Sequence, residues 1–401
     1  MTQRVAIIGG GIIGASTAFQ TALLASQRGL PVDVTLIEGS SVAAGASGKA
    51  GGLLALDWHG PSTASLAALS YKLHATLARE HGGADRWGFR QLDTLSVSAD
   101  LSAKGAKPRT RALKNADLFP WLNKDVLTSS SILGSKDTTS QVHPEQFTAA
   151  MVEEAQKLGA KVVFGTVTAL TKPSSGADGP YKLTVRGRDS GGETTVEADQ
   201  VVVAAGPWTG ELLKKLGVAG GRARTIRGSR AHSIVLKTAP GRDLPAQALF
   251  TSIKTKGGEA EPEVYNRPDG TSYICGPTDG SDLPTLASSV TVDDAAISKL
   301  LAQAAQLAPT HLSTSTDQAG AEQSALAEVV RRQACYLPVG SGGGDPVIGK
   351  LEGDAHERRG VYVASGHSCW GICNGPGTGL VMAELLLDGK VSSADIDELA
   401  P

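Results

Sequence analysis

Three glycines near the start of the chain have the spacing of a phosphate-binding turn. Gly9, Gly11 and Gly14 form the pattern G-x-G-x-x-G, and an acidic residue, Glu38, follows at close to the ~20-residue distance expected of a ribose-binding acid. In this pattern the first glycine permits a sharp turn, the second admits a pyrophosphate, and the third lets a helix pack closely. The helix N-terminus then offers free N–H groups to the phosphates. The spacing therefore predicts a dinucleotide site, without separating FAD from NAD.

The segments around these glycines have the matching periodicity. A β-branched run at residues 4–8 precedes the turn, an apolar helical stretch at 12–26 follows it, and a second strand-like run at 32–37 ends at Glu38. Strand, turn, helix and strand in this order make a βαβ unit. The alternative, that the glycines only tighten a turn, is weaker in this context.

A second glycine cluster, at residues 45–52, superficially resembles a P-loop. Ala43 stands where that motif needs its first glycine, and Ala50 stands where it needs Ser or Thr after the lysine, so the P-loop interpretation fails. The cluster runs directly into the apolar residues 53–56, which is unusual for a flexible surface loop.

Periodicity and turn residues predict the remaining elements. A hairpin turn at 268–270 lies within a segment, 226–282, that has an antiparallel pattern. Helices are predicted at 65–80, 145–158, 292–307 and 380–387, and further strands at 161–170, 200–204, 329–337 and 360–364.

Composition excludes several classes of function. The 401 residues carry a formal net charge of −2, which gives no field to attract nucleic acid or an anionic membrane. The four cysteines are too few for a secreted disulfide framework, and the apolar segment 5–24 has neither a preceding basic region nor a following cleavage site. We therefore expect a cytoplasmic protein without nucleic-acid or membrane partners, with a monomer as the default oligomeric state.

Five motifs in a fixed order resemble the D-amino-acid oxidase (DAO) family of flavoenzymes, which includes glycine oxidase, monomeric sarcosine oxidase and fructosyl amino acid oxidase. They span nearly the whole chain, and a fungal and plant branch of the family with ACYLP and GHSCWG is the most similar. The motifs are residues 5–14 (VAIIGGGIIG), 47–52 (SGKAGG), 201–208 (VVVAAGPW), 346–349 (PVIG) and 366–371 (GHSCWG).

The resemblance implies an α/β fold, in which a Rossmann-like FAD-binding domain is interleaved with an α+β substrate domain built on a mixed or antiparallel sheet. The FAD-binding domain would comprise residues 1–85, 141–222 and 336–401, and the substrate domain 86–140 and 223–335. FAD would lie extended, with ADP on the first βαβ unit and backbone N–H groups of residues 366–372 at the flavin N1/O2 edge, where reduction places negative charge. The implied cofactor-binding residues are Gly9, Gly11, Ile13, Gly14, Glu38, Ser47, Gly48, Lys49, Gly51, Gly52, Leu53, Val167, Ala205, Gly206, Trp208, Cys335, Gly366, His367, Trp370, Gly371 and Ile372.

Cys335 matches the position at which sarcosine-oxidase-like members attach FAD through a thioether, so the resemblance implies that FAD is covalently attached here. The alternative is a buried, inert cysteine. Cys369 and Cys373 have i,i+4 spacing, but without a second ligand pair we expect packing beside the flavin and no metal.

The chain departs from the family pattern at the substrate side. Leu337 replaces an arginine that holds the substrate carboxylate in glycine oxidase, Cys373 replaces a lysine of sarcosine oxidase, and Ile274 stands near a lysine that assists oxygen reduction. These departures argue against assuming a simple α-amino acid as the substrate. Oxidase activity is inferred from the family resemblance alone.

The candidate catalytic residues are Tyr265, Arg267, Lys254 and Trp370. Tyr265 and Arg267, on the hairpin, would clamp an anionic group through a phenol and a guanidinium fork, although an exposed structural pair is the common alternative. Further candidates, most of them expected to be structural, are Tyr273, Lys49, His59, His367 and Trp58.

The leading hypothesis is an FAD-dependent oxidoreductase acting on a small amine or amino-acid-like substrate. Hydride passes from the substrate C–N carbon to flavin N5 to give an imine, and O2 then reoxidises the flavin to give H2O2. The alternatives are a flavin-containing binding or regulatory protein with structural FAD, and an FAD dehydrogenase that uses another electron acceptor.

Overall fold

The computed structural model describes residues 2–102, 116–173, 179–314, 326–341, 344–353 and 358–401. Among the helices of these ranges, none is both long and apolar enough to cross a membrane. The strands are β1 Gln3–Ile8, β2 Val32–Glu38, β3 Leu53–Ala55, β4 Arg90–Gln91, β5 Asp93–Asp100, β6 Leu127–Gly134, β7 Thr139–Gln141, β8 Lys161–Thr171, β9 Tyr181–Gly187, β10 Glu193–Ala198, β11 Gln200–Val203, β12 Arg227–Lys237, β13 Gln247–Thr255, β14 Gly258–Ala260, β15 Glu263–Asn266, β16 Thr271–Asp279, β17 Glu328–Val339, β18 Val347–Glu352 and β19 Gly360–Ser365. The helices are α1 Ile12–Gln27, α2 Ala46–Lys49, α3 Pro61–His81, α4 Gly83–Trp87, α5 Pro144–Lys157, α6 Thr209–Lys215, α7 Asp294–Leu307, α8 Pro309–Leu312 and α9 Gly371–Asp388.

The first sheet has the order β10-β9-β8-β2-β1-β11-β19-β18. Its five inner strands, β8, β2, β1, β11 and β19, are parallel, and antiparallel strands flank them at both sides. Apolar clusters cover both faces, as expected of a parallel sheet. Because parallel strands end at the same edge, the turns after β1, β2, β11 and β19 lie side by side.

The second sheet has the order β17-β12-β16-β15-β13-β5-β6, with β14 paired to β13. It is mixed, because β13 and β5 are parallel while the other pairs are antiparallel. Helix α7 buries its apolar side against one face, where Val264, Leu249 and Ile274 point. A small third sheet, β3-β7-β4, completes the structure. This architecture confirms the predicted α/β class with a second, mixed sheet.

Helix α9 begins much earlier than the sequence indicated. The run of glycines before residue 380 argued against a helix, because glycine is a poor helix former, yet the helix begins at Gly371. The glycines are needed for close packing on α1. A Cβ on Gly375 would lie 2.6 Å from Ile12, and one on Gly379 would lie 2.5 Å from the backbone of Ser16.

The backbone groups that Pro376 leaves unpaired inside α9 find partners on α3. Ser70 Oγ donates to the Cys373 carbonyl at 2.7 Å and accepts from the Gly377 N–H at 2.9 Å. His74 Nε2 lies 2.9 Å from the carbonyl four residues before the proline. Burial lowers the pKa of His74 to about 4, so this histidine is neutral at pH 7 and its ring N–H is the donor.

We expect Ser70→Ala to lower the free energy of unfolding by about 1–3 kcal/mol, because it leaves the buried Gly377 N–H without its partner and leaves the Cys373 carbonyl with the longer contact to His74 Nε2, at 3.2 Å. Urea denaturation measures the effect. The matched control is Ser298→Ala on the exposed side of α7, for which a change within about 0.5 kcal/mol is expected. Equal effects of the two substitutions would show that α3 does not support the interrupted helix.

Candidate functional site

A cavity of about 510 Å³ lies where the parallel strands of the first sheet end. It extends from the β1–α1 turn, past the end of β2 and the loop after β11, to the start of α9. This is the crevice in which open α/β sheets bind ligands. The predicted cofactor residues that line it are Gly9, Gly11, Ile13, Glu38, Ser47, Val167, Ala205, Gly206, Trp208, Gly366, His367, Gly371 and Ile372.

The β1–α1 turn cannot accept larger residues at its first and last glycines. Gly9 has φ +117°, and a Cβ there would lie 2.3 Å from the Ala204 carbonyl oxygen. A Cβ on Gly14 would lie 1.9 Å from the Gly9 carbonyl oxygen. Gly11 precedes α1 without a capping side chain of its own, so the N-terminus of α1 is presented to the cavity.

Glu38 lines the same cavity from the end of β2. Its Oε2 accepts from the Gly10 N–H and its Oε1 from the Ser40 N–H, both at 2.7 Å. Burial raises the pKa of Glu38 while these bonds oppose the increase. Each carboxylate oxygen retains a lone pair, so the side chain is oriented and can accept a further hydrogen bond from a ligand hydroxyl.

A second helix N-terminus reaches the cavity through the segment that precedes α9. Gly366 and Ser368 have positive φ angles of +87° and +49°, which is rare for a serine. The backbone therefore turns sharply just before α9 begins. His367 Nε2 lies 3.0 Å from Thr378 Oγ1 and so fastens this segment to α9. Burial lowers the pKa of His367 to about 3, and its Nδ1 has no hydrogen-bond partner among the described residues.

The glycine cluster before β3 packs against the start of α1, and its Ser47 lines the cavity. Ser47 Oγ accepts from the Ile12 N–H at 2.9 Å, and a Cβ on Gly48 would lie 2.2 Å from the Ala43 carbonyl oxygen. A Cβ on Gly51 would lie 2.5 Å from the ring of Tyr265. The predicted cofactor residues that do not line the large cavity are Gly14, Gly48, Lys49, Gly51, Gly52, Leu53, Cys335 and Trp370.

Two of the predicted catalytic residues lie in aromatic surroundings. Tyr265 is buried, and its hydroxyl donates to Glu263; its ring lies 5.9 Å from that of Tyr273. Trp370 packs against His59 at a ring distance of 4.2 Å. Sequence reasoning did not single out Glu263, because a lone acid on a strand usually faces solvent.

Of the other two catalytic candidates, Arg267 contacts the same aromatic cluster through Tyr273, whereas Lys254 lies at the surface. Arg267 is 6% exposed and stacks 5.2 Å above Tyr273. Its Nη2 donates to the Ala50 carbonyl at 3.1 Å, and its Nη1 lies 3.4 Å from a ring nitrogen of His143. It lines a separate cavity of about 210 Å³. Lys254 is exposed, on the part of β13 that pairs with β14.

The cysteines are all free thiols. Cys335 is 5% exposed, and burial raises its thiol pKa to about 11, against the opposing charge of Lys49. Cys373 donates to the Ala55 carbonyl at 3.6 Å, and burial raises its pKa to about 12. In the part of the chain that the structure describes, no three or more His, Cys, Asp or Glu residues form a group that could hold a metal ion.

Sequence comparison connects this geometry with a known family. The family model described as "FAD dependent oxidoreductase" (DAO) matches residues 4–385. The chain belongs to this family. A putative oxidoreductase of Schizosaccharomyces pombe is 37% identical over 418 aligned positions, which cover 100% of this chain and 98% of the relative. Glycine oxidase of Geobacillus kaustophilus is 26% identical, over 96% of this chain and 94% of the relative.

Solved structures show the same fold. The crystal structure of glycine oxidase from Geobacillus kaustophilus has a TM-score of 0.73 at 23% identity and covers 100% of this chain and 98% of its own. Iminodiacetate oxidase from Chelativorans sp. BNC1 has a TM-score of 0.70 at 21% identity, with 99% of each chain covered. The resemblance to the DAO family is thus confirmed, and the cavity lies in an FAD-dependent oxidoreductase fold.

Five residues of the cavity wall, 283–287, escaped the sequence analysis. They follow β16 and belong to no motif, and Trp208 Nε1 donates to the Pro284 carbonyl at 2.6 Å. Only the folded arrangement of the two sheets brings this loop to the end of β11.

We expect Gly9→Ala to weaken FAD retention by at least about tenfold, because the added Cβ meets a backbone oxygen and the positive φ is strained. The flavin-to-protein absorbance ratio after desalting measures it. Gly29→Ala is the matched control, since Gly29 also has a positive φ, +63°, but has no atom within 4 Å of the added Cβ. That variant should lose about 1–2 kcal/mol of stability and keep its flavin; equal flavin loss from both would contradict the prediction.

Proposed function

We propose that this protein is an FAD-dependent amine oxidoreductase that converts a small amine or amino-acid-like substrate to its imine. The observation that carries the proposal is the convergence of the α1 and α9 N-termini and Glu38 on one cavity, in a chain of the FAD-dependent oxidoreductase family. FAD, when bound, supplies the acceptor for the hydride that leaves the substrate carbon.

The cavity residues fit the chemistry of FAD. The glycines of the β1–α1 turn leave room at a helix N-terminus, where phosphates are stabilised, and Glu38 offers an oriented carboxylate to ribose hydroxyls. The segment from Gly366 to Ile372 presents the second helix N-terminus, which stabilises the negative charge that reduction brings to the flavin ring. These residues would hold and polarise the cofactor. Burial lowers the pKa of His367, the one histidine among them, to about 3, so its ring is neutral at pH 7.

The substrate class comes from the second sheet and from the relatives. Glycine oxidase and iminodiacetate oxidase are similar in fold, and both names denote oxidation of a substrate with a C–N bond. Tyr265 and its aromatic neighbours lie against the segment that carries Gly51, and we assign them to the substrate side. Molecular oxygen is the proposed electron acceptor, giving hydrogen peroxide, and the free cysteines favour a reducing cytosolic location.

We expect anaerobic addition of a suitable amine to bleach the flavin absorption band of the purified protein, and readmitted air to restore it with one hydrogen peroxide per imine. A panel of primary amines, secondary amines and amino acids, followed by stopped-flow absorbance and a peroxide assay, makes the measurement. Bleaching without reoxidation by air would assign another electron acceptor. Flavin that no member of the panel bleaches would favour a binding or regulatory protein with structural FAD.

We also propose that Cys335 tethers FAD covalently through a thioether to the flavin 8-methyl group. The thioether would replace the S–H bond and one methyl C–H bond, and the two electrons released would pass through the flavin to O2, the proposed acceptor. The family position and the nearby Lys49 charge support the tether, because a cation favours the thiolate. Burial acts in the opposite direction, raising the thiol pKa to about 11. Formation of the tether therefore requires bound FAD and the Lys49 charge, which favours the Cys335 thiolate.

If the tether exists, acid-precipitated wild-type protein stays yellow and its intact mass increases by about one FAD, while Cys335→Ser releases flavin on denaturation. Cys275→Ser, which changes a partly buried thiol on β16, is the control and should retain the adduct. An unmodified polypeptide mass with free flavin in the acid supernatant would make Cys335 a packing residue.

A further inference from the structure

Glu263 lies on the face of the second sheet that is turned away from α7. The opposite face carries Leu249, Val264 and Ile274 in the core with that helix. Strand alternation therefore places Glu263 and Tyr265 together on the other face, and this face meets the segment before β3, where the Tyr265 ring lies against Gly51.

Aromatic rings and thiols surround the Glu263 carboxylate. Phe250 and Cys275 are its cross-strand neighbours on β13 and β16. The Tyr265 hydroxyl donates to it, and Cys275 Sγ lies 3.6 Å from its Oε2. The Phe250 ring lies 6.2 Å from that of Tyr265 and 5.3 Å from that of Trp58. Carboxylates and aromatic faces are the two groups that attract an organic ammonium ion.

No basic side chain in the described ranges forms an ion pair with Glu263. Arg267 donates to the Ala50 carbonyl and stacks on Tyr273, and Lys49 lies beside Cys335. Burial raises the pKa of Glu263, and no cation opposes that increase; only its hydrogen bonds to Tyr265 and Cys275 do. A recessed carboxylate without a counter-ion is costly unless a ligand supplies the positive charge.

Glu263 is close to the large cavity. Cys369 lines that cavity, and the Glu263 charge adds to burial in raising the pKa of the Cys369 thiol. Glu263 itself is only partly buried, so a ligand can reach it. Among the described lining residues of the cavity, Lys215 is the one lysine or arginine, and it lies on α6. Among the described residues, Glu263 is an acid that accepts hydrogen bonds but has no ion-pair partner.

We propose that Glu263 binds the ammonium group of the substrate, which is held between this acid and the rings of Trp58, Phe250 and Tyr265. This inference rests on the proposed function and deepens it, because it assigns a residue to the recognition of the amine. Glu263 acts as a binding and specificity residue. The dense aromatic packing favours a substituted or arylalkyl amine over a small polar one.

The test is isothermal titration calorimetry on the FAD-loaded protein with two probes of similar size, at constant ionic strength. Benzyltrimethylammonium carries a cation that cannot be oxidised to an imine, and phenylacetate carries the opposite charge. We expect the cation to bind and phenylacetate to bind at least about tenfold more weakly. Glu263→Gln should weaken cation binding by at least about tenfold, because it removes the charge-assisted contact, and Glu263→Asp should retain part of it.

The control is Glu259→Gln, which removes an equal charge from an exposed residue of β14 and should leave both affinities unchanged. Tighter binding of phenylacetate than of the cation to the wild type, or an unchanged cation affinity in Glu263→Gln, would overturn the inference. The comparison of the two probes uses the wild type, so it can overturn the inference even if the Glu263→Gln variant fails to fold.

The proposed function is tested separately by anaerobic bleaching. Bleaching by amino acids combined with no cation binding would refute the Glu263 assignment and keep the oxidoreductase. Cation binding without bleaching by any amine would support the Glu263 assignment and refute the enzyme.

Discussion

The close packing of α1 on α9 is the constraint on which the rest of the structure depends. Each helix begins beside the end of a parallel strand. Both N-termini face one cavity because the two helices pack so closely that no Cβ fits at the contact positions of α9. Gly375 against Ile12 and Gly379 against Ser16 provide this close packing, and Gly14 lets α1 pack against the turn that contains Gly9. The cost is an interrupted α9, whose unpaired carbonyls are satisfied by Ser70 and the neutral His74. Two partial positive charges then act on the same space.

The second sheet contributes a negative side chain, opposite in sign to the two helix N-termini. One face is covered by α7 and is apolar; the other presents Glu263 and Tyr265 to the segment that contains Gly51. The cofactor, which becomes negative on reduction, is thus expected in the cavity at the first sheet, and the positive amine of the proposed substrate is expected at the second sheet. This separation follows from sheet alternation and strand order, and not from any single motif.

The sequence was sufficient to predict the local backbone geometry at the start of α1. The Gly9–Gly14 turn and the acid at the end of β2 need only short segments, and the structure places all but Gly14 of the predicted turn residues, with Glu38, at the cavity wall. The start of α9 was missed, because Gly375, Pro376 and Gly379 oppose helix formation until α1 and α3 pack against them. The surroundings of Glu263 also depend on the fold, because strand pairing places it beside Phe250 and Cys275 and no described basic residue forms an ion pair with it.

The central claim is that one FAD molecule is held by both helix N-termini at once. Hydrogen–deuterium exchange of the apoprotein with and without added FAD tests it directly, since amide protection reports on each segment separately. The account predicts slower exchange on FAD binding both at residues 9–14 and at residues 366–372. Protection confined to the first segment, with exchange at residues 366–372 unchanged, would contradict it.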